Sequence, residues 1–247
     1  MSLLTWIIAF AMLGSIGAVA GASFFLYFPE SIRRRLVPSL VSYATGTLLG
    51  AAFLGMLPAA LKLAPGDKVM EMALGGMVGF FVLEKLVIWR HCHEEGCEIH
   101  GRPGILILIG DAFHNFIDGV MIAAAFLNSI ELGITASLAI VAHEVPQELG
   151  DFVILLDSGY GRMKAFLLNG ASSITTLLGA FLSYFWLAGT HVALPYILAI
   201  SASSFLYIAS ADLIPGLHRQ ASPSIALRQI LLILAGIGTI SFLRFEK

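Results

Sequence analysis

The sequence predicts an all-α protein that crosses a membrane several times. Of its 247 residues, 58% are apolar and 12% are Asp, Glu, Lys or Arg, where a soluble domain carries about 25% charged residues. Mean hydropathy is +0.89. The apolar residues fall into runs of roughly 20, the length a helix needs to span a hydrocarbon core.

Eight runs can be drawn, at 3–28, 36–63, 69–90, 104–128, 131–157, 163–187, 191–217 and 224–243, and they form one domain over 1–247. The first run has no positively charged start and no small-residue cleavage site, so it reads as a membrane helix and not a signal peptide. The second begins after Arg33–Arg35 and the third after Pro65. Pro38, Pro65, Pro103 and Pro223 sit where helices are expected to start or to have just ended. The fourth and fifth runs are joined by a few residues near Ser129, and the sixth opens after Gly159 and Gly161. The seventh and eighth are separated by a polar stretch around His218–Pro223. Gly17/Gly21, Gly46/Gly50 and Gly75/Gly79 lie at the spacing that lets helices approach closely. The second run ends Gly55-Met-Leu-Pro58 and the seventh Asp212-Leu-Ile-Pro215. These helices run in opposite directions, as an inverted repeat of helices 1–3 and 6–8 around helices 4 and 5 would require.

Basic residues set the expected orientation. Nine of the 14 fall on one side: Arg33, Arg34, Arg35, Arg90, Arg102, Arg162, Lys164, Arg219 and Arg228. Lys62, Lys68, Arg244 and Lys247 fall on the other, and Lys85 lies within the third run. The first side is therefore read as cytoplasmic, with both termini outside and the 3–4 loop inside. In a prokaryote the membrane is the inner, plasma membrane. Basic residues are few and form no stripe, which argues against nucleic acid; the net charge of −2 says nothing about partners. Two cysteines, Cys92 and Cys97, imply no disulfide framework.

Two polar strings interrupt this greasy background: Asp111-Ala-Phe-His114-Asn115-Phe-Ile-Asp118-Gly119 and His143-Glu144-Val-Pro146-Gln147-Glu148-Leu-Gly-Asp151. One ionisable residue at membrane depth costs about 2.5–3.5 kcal/mol on insertion scales. Here are five carboxylates with no Lys or Arg in either string. A metal cation is the simplest positive partner. His114 and Asp118 are four residues apart and share a helix face. His143, Gln147 and Asp151 form one stripe, and Glu144 and Glu148 a second beside it. Imidazole with carboxylate and amide oxygen, and no thiolate, suits zinc and other first-row ions held transiently. Pro146 removes a helix hydrogen bond and frees a carbonyl near Ala142.

Both strings resemble the signatures of the Zrt/Irt-like (ZIP) divalent-metal transporters. His-Asn-Phe-Ile-Asp-Gly is similar to that family's HNxxDG/HNxxEG motif. His-Glu-Val-Pro-Gln-Glu-Leu-Gly-Asp resembles the HExPHExGD motif of one subgroup. The resemblance implies a metal substrate, zinc foremost with Cd, Fe and Mn as alternatives, no cofactor, and a homodimer in the bilayer. It also implies two adjacent metal positions. His114, Asp118, His143 and Gln147 would line the first; Asn115, Glu144 and the bridging Asp118 the second. Gln147 departs from the family, which has His or Glu there, and an amide oxygen is a weaker, uncharged ligand. Asp111, Glu148, Asp151 and Asp212 are further candidates. The loop at 91–103 offers His91, Cys92, His93, Cys97 and His100 as a cytoplasmic metal-binding tract. His191 and His218 read as interface residues near helix ends.

The rival reading is an intramembrane zinc metalloenzyme of the site-2-protease type. His143-Glu144 begins an HExxH-like string, but Gln147 replaces the second His and Pro146 interrupts the helix. No ATP-binding P-loop pattern occurs, so direct ATP drive is not expected.

Overall fold

The computed structural model describes residues 2–89, 103–187, 189, 192–219 and 222–245, and the regular structure among them is helical. Eight rods follow in chain order. They are α1 (Leu3–Phe25), α2 (30–63), α3 (Gly66–Trp89), α4 (Pro103–Asn128), α5 (Ile130–Asp157), α6 (Arg162–Leu187), α7 (Leu194–His218) and α8 (Pro223–Phe245). Six of them, all but α3 and α5, contain a stretch long and apolar enough to cross a membrane. The polar string from His143 to Asp151 lowers the hydropathy of α5, which is nonetheless 28 residues long. The protein is an all-α, multi-pass membrane protein.

Two local expectations fail. Helix α2 begins at Glu30, not near residue 36, and Pro38 lies inside it. Pro29 enters in an extended conformation, and its carbonyl accepts from Ile32 and Arg33 N–H. The polar Glu30–Arg35 turn is thereby helical although it is not apolar. The Gly75/Gly79 pair meets nothing: a Cβ at either would find open space within 4 Å. It is Gly76 that lies against α7, at Ser203. Gly46 and Gly50 do pack as expected, against Ile233 and Ile240 of α8, and Gly21 packs against Val145 of α5. A Cβ at Gly46 would overlap the Ile233 carbonyl, which is backbone, so Gly46→Ala should lower stability by about 3 kcal/mol or more through overpacking. Gly75→Ala should be neutral or stabilising by about 0.4–1 kcal/mol, and thermal unfolding of the two variants checks the contrast.

Helices α2 and α7 share a device. Each contains a six-residue π-helical segment, Ala51–Met56 and Ile208–Leu213, ending two residues before Pro58 and Pro215. Proline lacks an N–H and its ring crowds the carbonyl four residues back; a widened turn relieves both. Helix α5, by contrast, passes through Pro146 as regular α-helix.

Helix α4 is the centre of the fold. It crosses α6 with backbones in contact, because a Cβ at Gly119 would overlap the Thr176 carbonyl and one at Gly179 the Phe116 carbonyl. It pairs with α5 through a one-residue turn, where Ser129 Oγ accepts from Leu132 N at 3.1 Å and caps α5. On its C-terminal half Met121–Phe126 are all buried, packed among Ala136, Ala139 and Ile140 of α5 and Leu198, Ala202 and Phe205 of α7. Trp6 and Phe10 stack around Phe126. This apolar plug lies on one side of the polar strings only.

Candidate metal centre

His114 and Asp118 lie one turn apart on α4, and His143 and Glu144 are neighbours on α5. The α4–α5 pairing brings one ligand atom from each within 4.8 Å of all the others. His143 Nε2 is 3.3 Å from Asp118 Oδ2 and 3.6 Å from Glu144 Oε1. His114 Nε2 is 3.3 Å from Glu144 Oε1 and 3.9 Å from Asp118 Oδ2. The two Nε2 atoms face each other at 3.3 Å.

Asp118 and Glu144 are fully buried, and none of their four carboxylate oxygens has a hydrogen-bond partner. No Lys or Arg occurs on α4 or α5. Two uncompensated buried carboxylates are among the costliest arrangements a protein interior can hold. The imidazoles point to the same remedy. His143 Nδ1 lies 3.0 Å from the Ala139 carbonyl, so it donates there and leaves the Nε2 lone pair directed at the cluster. Its ring also meets Phe205 edge-on, which fixes its orientation. A cation at the centre satisfies the lone pair and both carboxylates together. The set of two imidazole nitrogens and two carboxylate oxygens is one that Zn²⁺ and its neighbours accept. Access is one-sided: the side chain of His114 is 21% exposed, the other three 1% or less.

The other predicted residues sit around this cluster. Gln147 Nε2 donates to Asp111 Oδ1 at 3.3 Å, so the amide is turned one turn away from the four ligands. Asn115 Nδ2 donates to the Asp111 carboxylate at 2.9 Å, and its Oδ1 accepts from Thr176 Oγ1 at 2.8 Å. Glu148 and Asp111 are buried, and Asp151 is half-buried beside Asp111. Asp212 is exposed on the π-segment of α7, with Glu84 and His114 as charged neighbours. Glu84 accepts from the Tyr207 hydroxyl. His218 is exposed at the end of α7. His91, Cys92, His93, Cys97, His100 and His191 lie outside the described residues.

The resemblance points to the hydroxyls of Ser172, Ser173, Thr175 and Thr176 on the sixth helix; the structure extends them into a whole wall of the site, with Asn169 and Ser183 not singled out from the sequence. Helix α6 presents Asn169, Ser172, Ser173, Thr176, Gly179, Ala180 and Ser183, all buried. Their recurrence at three- and four-residue steps was the available signal: a small and polar stripe inside an apolar helix. Asn169 Nδ2 donates to the Glu148 carbonyl at 3.1 Å, and Thr175 Oγ1 to the Ala112 carbonyl at 2.6 Å. These bonds tie α6 to both site helices.

A family model described as ZIP Zinc transporter matches residues 89–244, a stretch that includes both polar strings. The chain belongs to the ZIP zinc transporter family. Among curated relatives of this family, zinc transporter ZIP13 of Pongo abelii is 33% identical over 213 residues, 80% of this chain and 64% of that protein. Zinc transporter ZIP13 of Danio rerio is 35% identical, covering 83% of this chain and 75% of that protein. Metal cation symporter ZIP14 of Mus musculus is 43% identical over 118 residues, 48% of this chain and 24% of that protein. The chain thus spans about two thirds of the ZIP13 relative from Pongo abelii and a quarter of the ZIP14 one.

Proposed function

We propose that the protein carries divalent metal, zinc foremost, across the membrane into the cytoplasm, through the site of His114, Asp118, His143 and Glu144. The observation that carries this is an N₂O₂ ligand set within 4.8 Å, three of its four side chains buried and its carboxylate oxygens unpartnered, in a chain of the ZIP family. The metal is substrate, and no resident cofactor is invoked. Relatives named as zinc transporters and as a metal cation symporter support the cargo class. An ion path needs ligands strong enough to strip water and weak enough to let go. Four ligands without thiolate meet that condition. Cd, Fe and Mn fit the same donors.

The exposed edge of His114 and the plug at Met121–Phe126 support a site open on the side of the N-terminal end of α4. By the distribution of Arg and Lys that side is cytoplasmic and both termini are outside, so the metal leaves toward the 91–103 loop, whose His and Cys would receive it. In a prokaryote the membrane would be the inner one. The matched π-segments before Pro58 and Pro215 support an inverted repeat of α1–α3 and α6–α8 around α4–α5. The fifth-helix string supports the HExPHExGD subgroup, with Gln147 as the departure, and we take the functional unit to be a homodimer in the bilayer. The metalloenzyme reading requires a second His one turn after His143; Gln147 stands there and is held by Asp111.

Proteoliposomes loaded with a zinc-sensitive dye test the proposal. Protein-dependent, saturable zinc influx is expected; zinc-dependent proteolysis without influx would overturn it. Gln147→His should draw the preference toward zinc over manganese in competition influx, since imidazole is the softer donor. Unchanged competition would remove position 147 from the selectivity shell.

A further inference from the structure

The polar residues of α4 and α5 form two tiers along the helix axes. The first is the four-ligand site. The second lies one turn nearer the start of α4 and the end of α5, a step of about 5.4 Å, and holds Asp111, Glu148 and Asp151. The Asp111 and Asp151 side chains meet, with Ser172 beside them. Glu148 is fully buried next to Ser173, and neither of its carboxylate oxygens has a hydrogen-bond partner. Asp111 Oδ2, Asn169 Oδ1 and Ser173 Oγ are also buried without partners. Asn115 and Gln147 both donate to the same oxygen, Asp111 Oδ1.

One divalent ion in the first tier balances Asp118 and Glu144. It leaves the three carboxylates of the second tier unbalanced. Among the described residues the basic residues nearest in sequence, Arg162 and Lys164, open α6, and the Lys164 ammonium lies over the Tyr160 ring. Glu148 has neither a donor nor an acceptor bonded to it, and the oxygens of Asn169 and Ser173 in the same tier are unpartnered as well. One cation among these orphaned oxygens would satisfy several of them together.

We propose that Asp111, Glu148 and Asp151, with the oxygens of Asn169 and Ser173, form a second cation site of oxygen ligands only. Its spacing is wider than that of the first tier, which alone meets the 4.8 Å grouping among the described residues. The site therefore takes a partly hydrated divalent ion, and oxygen donors with retained water favour hard ions such as Mn²⁺. On the transport reading above, it is a waypoint between the imidazole site and the cytoplasm. Its occupancy can be measured whether or not that reading holds.

Equilibrium dialysis of the purified full chain in nanodiscs, against Mn²⁺ or Zn²⁺ with metal counted per protomer, tests it. Wild type should bind two ions. Asp111→Asn/Glu148→Gln should bind one. His114→Ala/His143→Ala should also bind one, with Mn²⁺ now competing against Zn²⁺ at least 10-fold better than in wild type. Glu148→Gln alone, which keeps the side-chain volume, stands in if the double variant fails to fold. Metal counts unchanged by the Asp111 and Glu148 substitutions would overturn the second site, as would a wild type that binds a single ion and loses it with the histidines. Loss of one ion in Glu148→Gln but none in the histidine variant would keep the second site and reject the first.

Discussion

Asp118→Asn abolishes metal uptake while leaving the protein folded. Asparagine keeps the shape of the side chain and removes its charge, so the packing around α4 survives. One of the two anionic ligands available to the metal is lost, and a weak neutral one takes its place. Replacing residues that merely support metal ligands already costs about 10–100-fold in affinity or activity, so losing a direct anionic ligand should exceed that. Stability should hold or rise, since an unpartnered buried carboxylate is itself costly to the metal-free protein. Zinc influx and thermal unfolding, measured side by side, check both halves. Influx within a few-fold of wild type would remove Asp118 from the path.

Gly119→Val prevents the native α4–α6 crossing. The glycine that closes the first polar string is no ligand; a Cβ there would strike the Thr176 carbonyl and the Ala180 amide of α6. Both are backbone, so the clash is relieved only by separating the helices. Overpacking that flexible side chains absorb costs about 1–3 kcal/mol, and a branched residue against backbone should exceed this. Separation would also break the Thr176–Asn115 and Thr175–Ala112 hydrogen bonds that tie α6 to the site helix. The expected result is loss of folded protein in detergent and loss of uptake. Gly110→Ala is the matched control: same helix, nothing within 4 Å of its Cβ, and an expected melting point within a degree or two of wild type.

The helical architecture was legible because a run of apolar residues is a direct record of the solvent it faces. The site helices were legible for the opposite reason: carboxylates in such a run demand a partner. Helical periodicity correctly paired His114 with Asp118. On α5 it set out two adjacent stripes, His143/Gln147/Asp151 and Glu144/Glu148, without giving the level of each residue along the helix. The structure divides these residues by height. His143 and Glu144 join Asp118, while Gln147, Glu148 and Asp151 gather one turn away around Asp111. Spacing along one helix cannot show at what level the partner helix crosses it, and that level is set by contacts such as Gly119 against Thr176. Gly75 and Gly79 teach the same point, since the small-residue spacing is present and the partner helix is not. The start of α2 escaped because its first turn is polar, and Asn169 on α6 because a single amide carries no charge to attract notice.

X-ray absorption at the zinc edge, on protein loaded with one equivalent of zinc, reports whether the ion sits among His114, Asp118, His143 and Glu144. Nitrogen and oxygen neighbours are expected at about 2.0–2.2 Å, with an imidazole signature that falls by half in His143→Ala and no sulfur. A zinc–sulfur distance near 2.3 Å, or a spectrum unchanged by that substitution, would place the metal elsewhere and contradict that assignment.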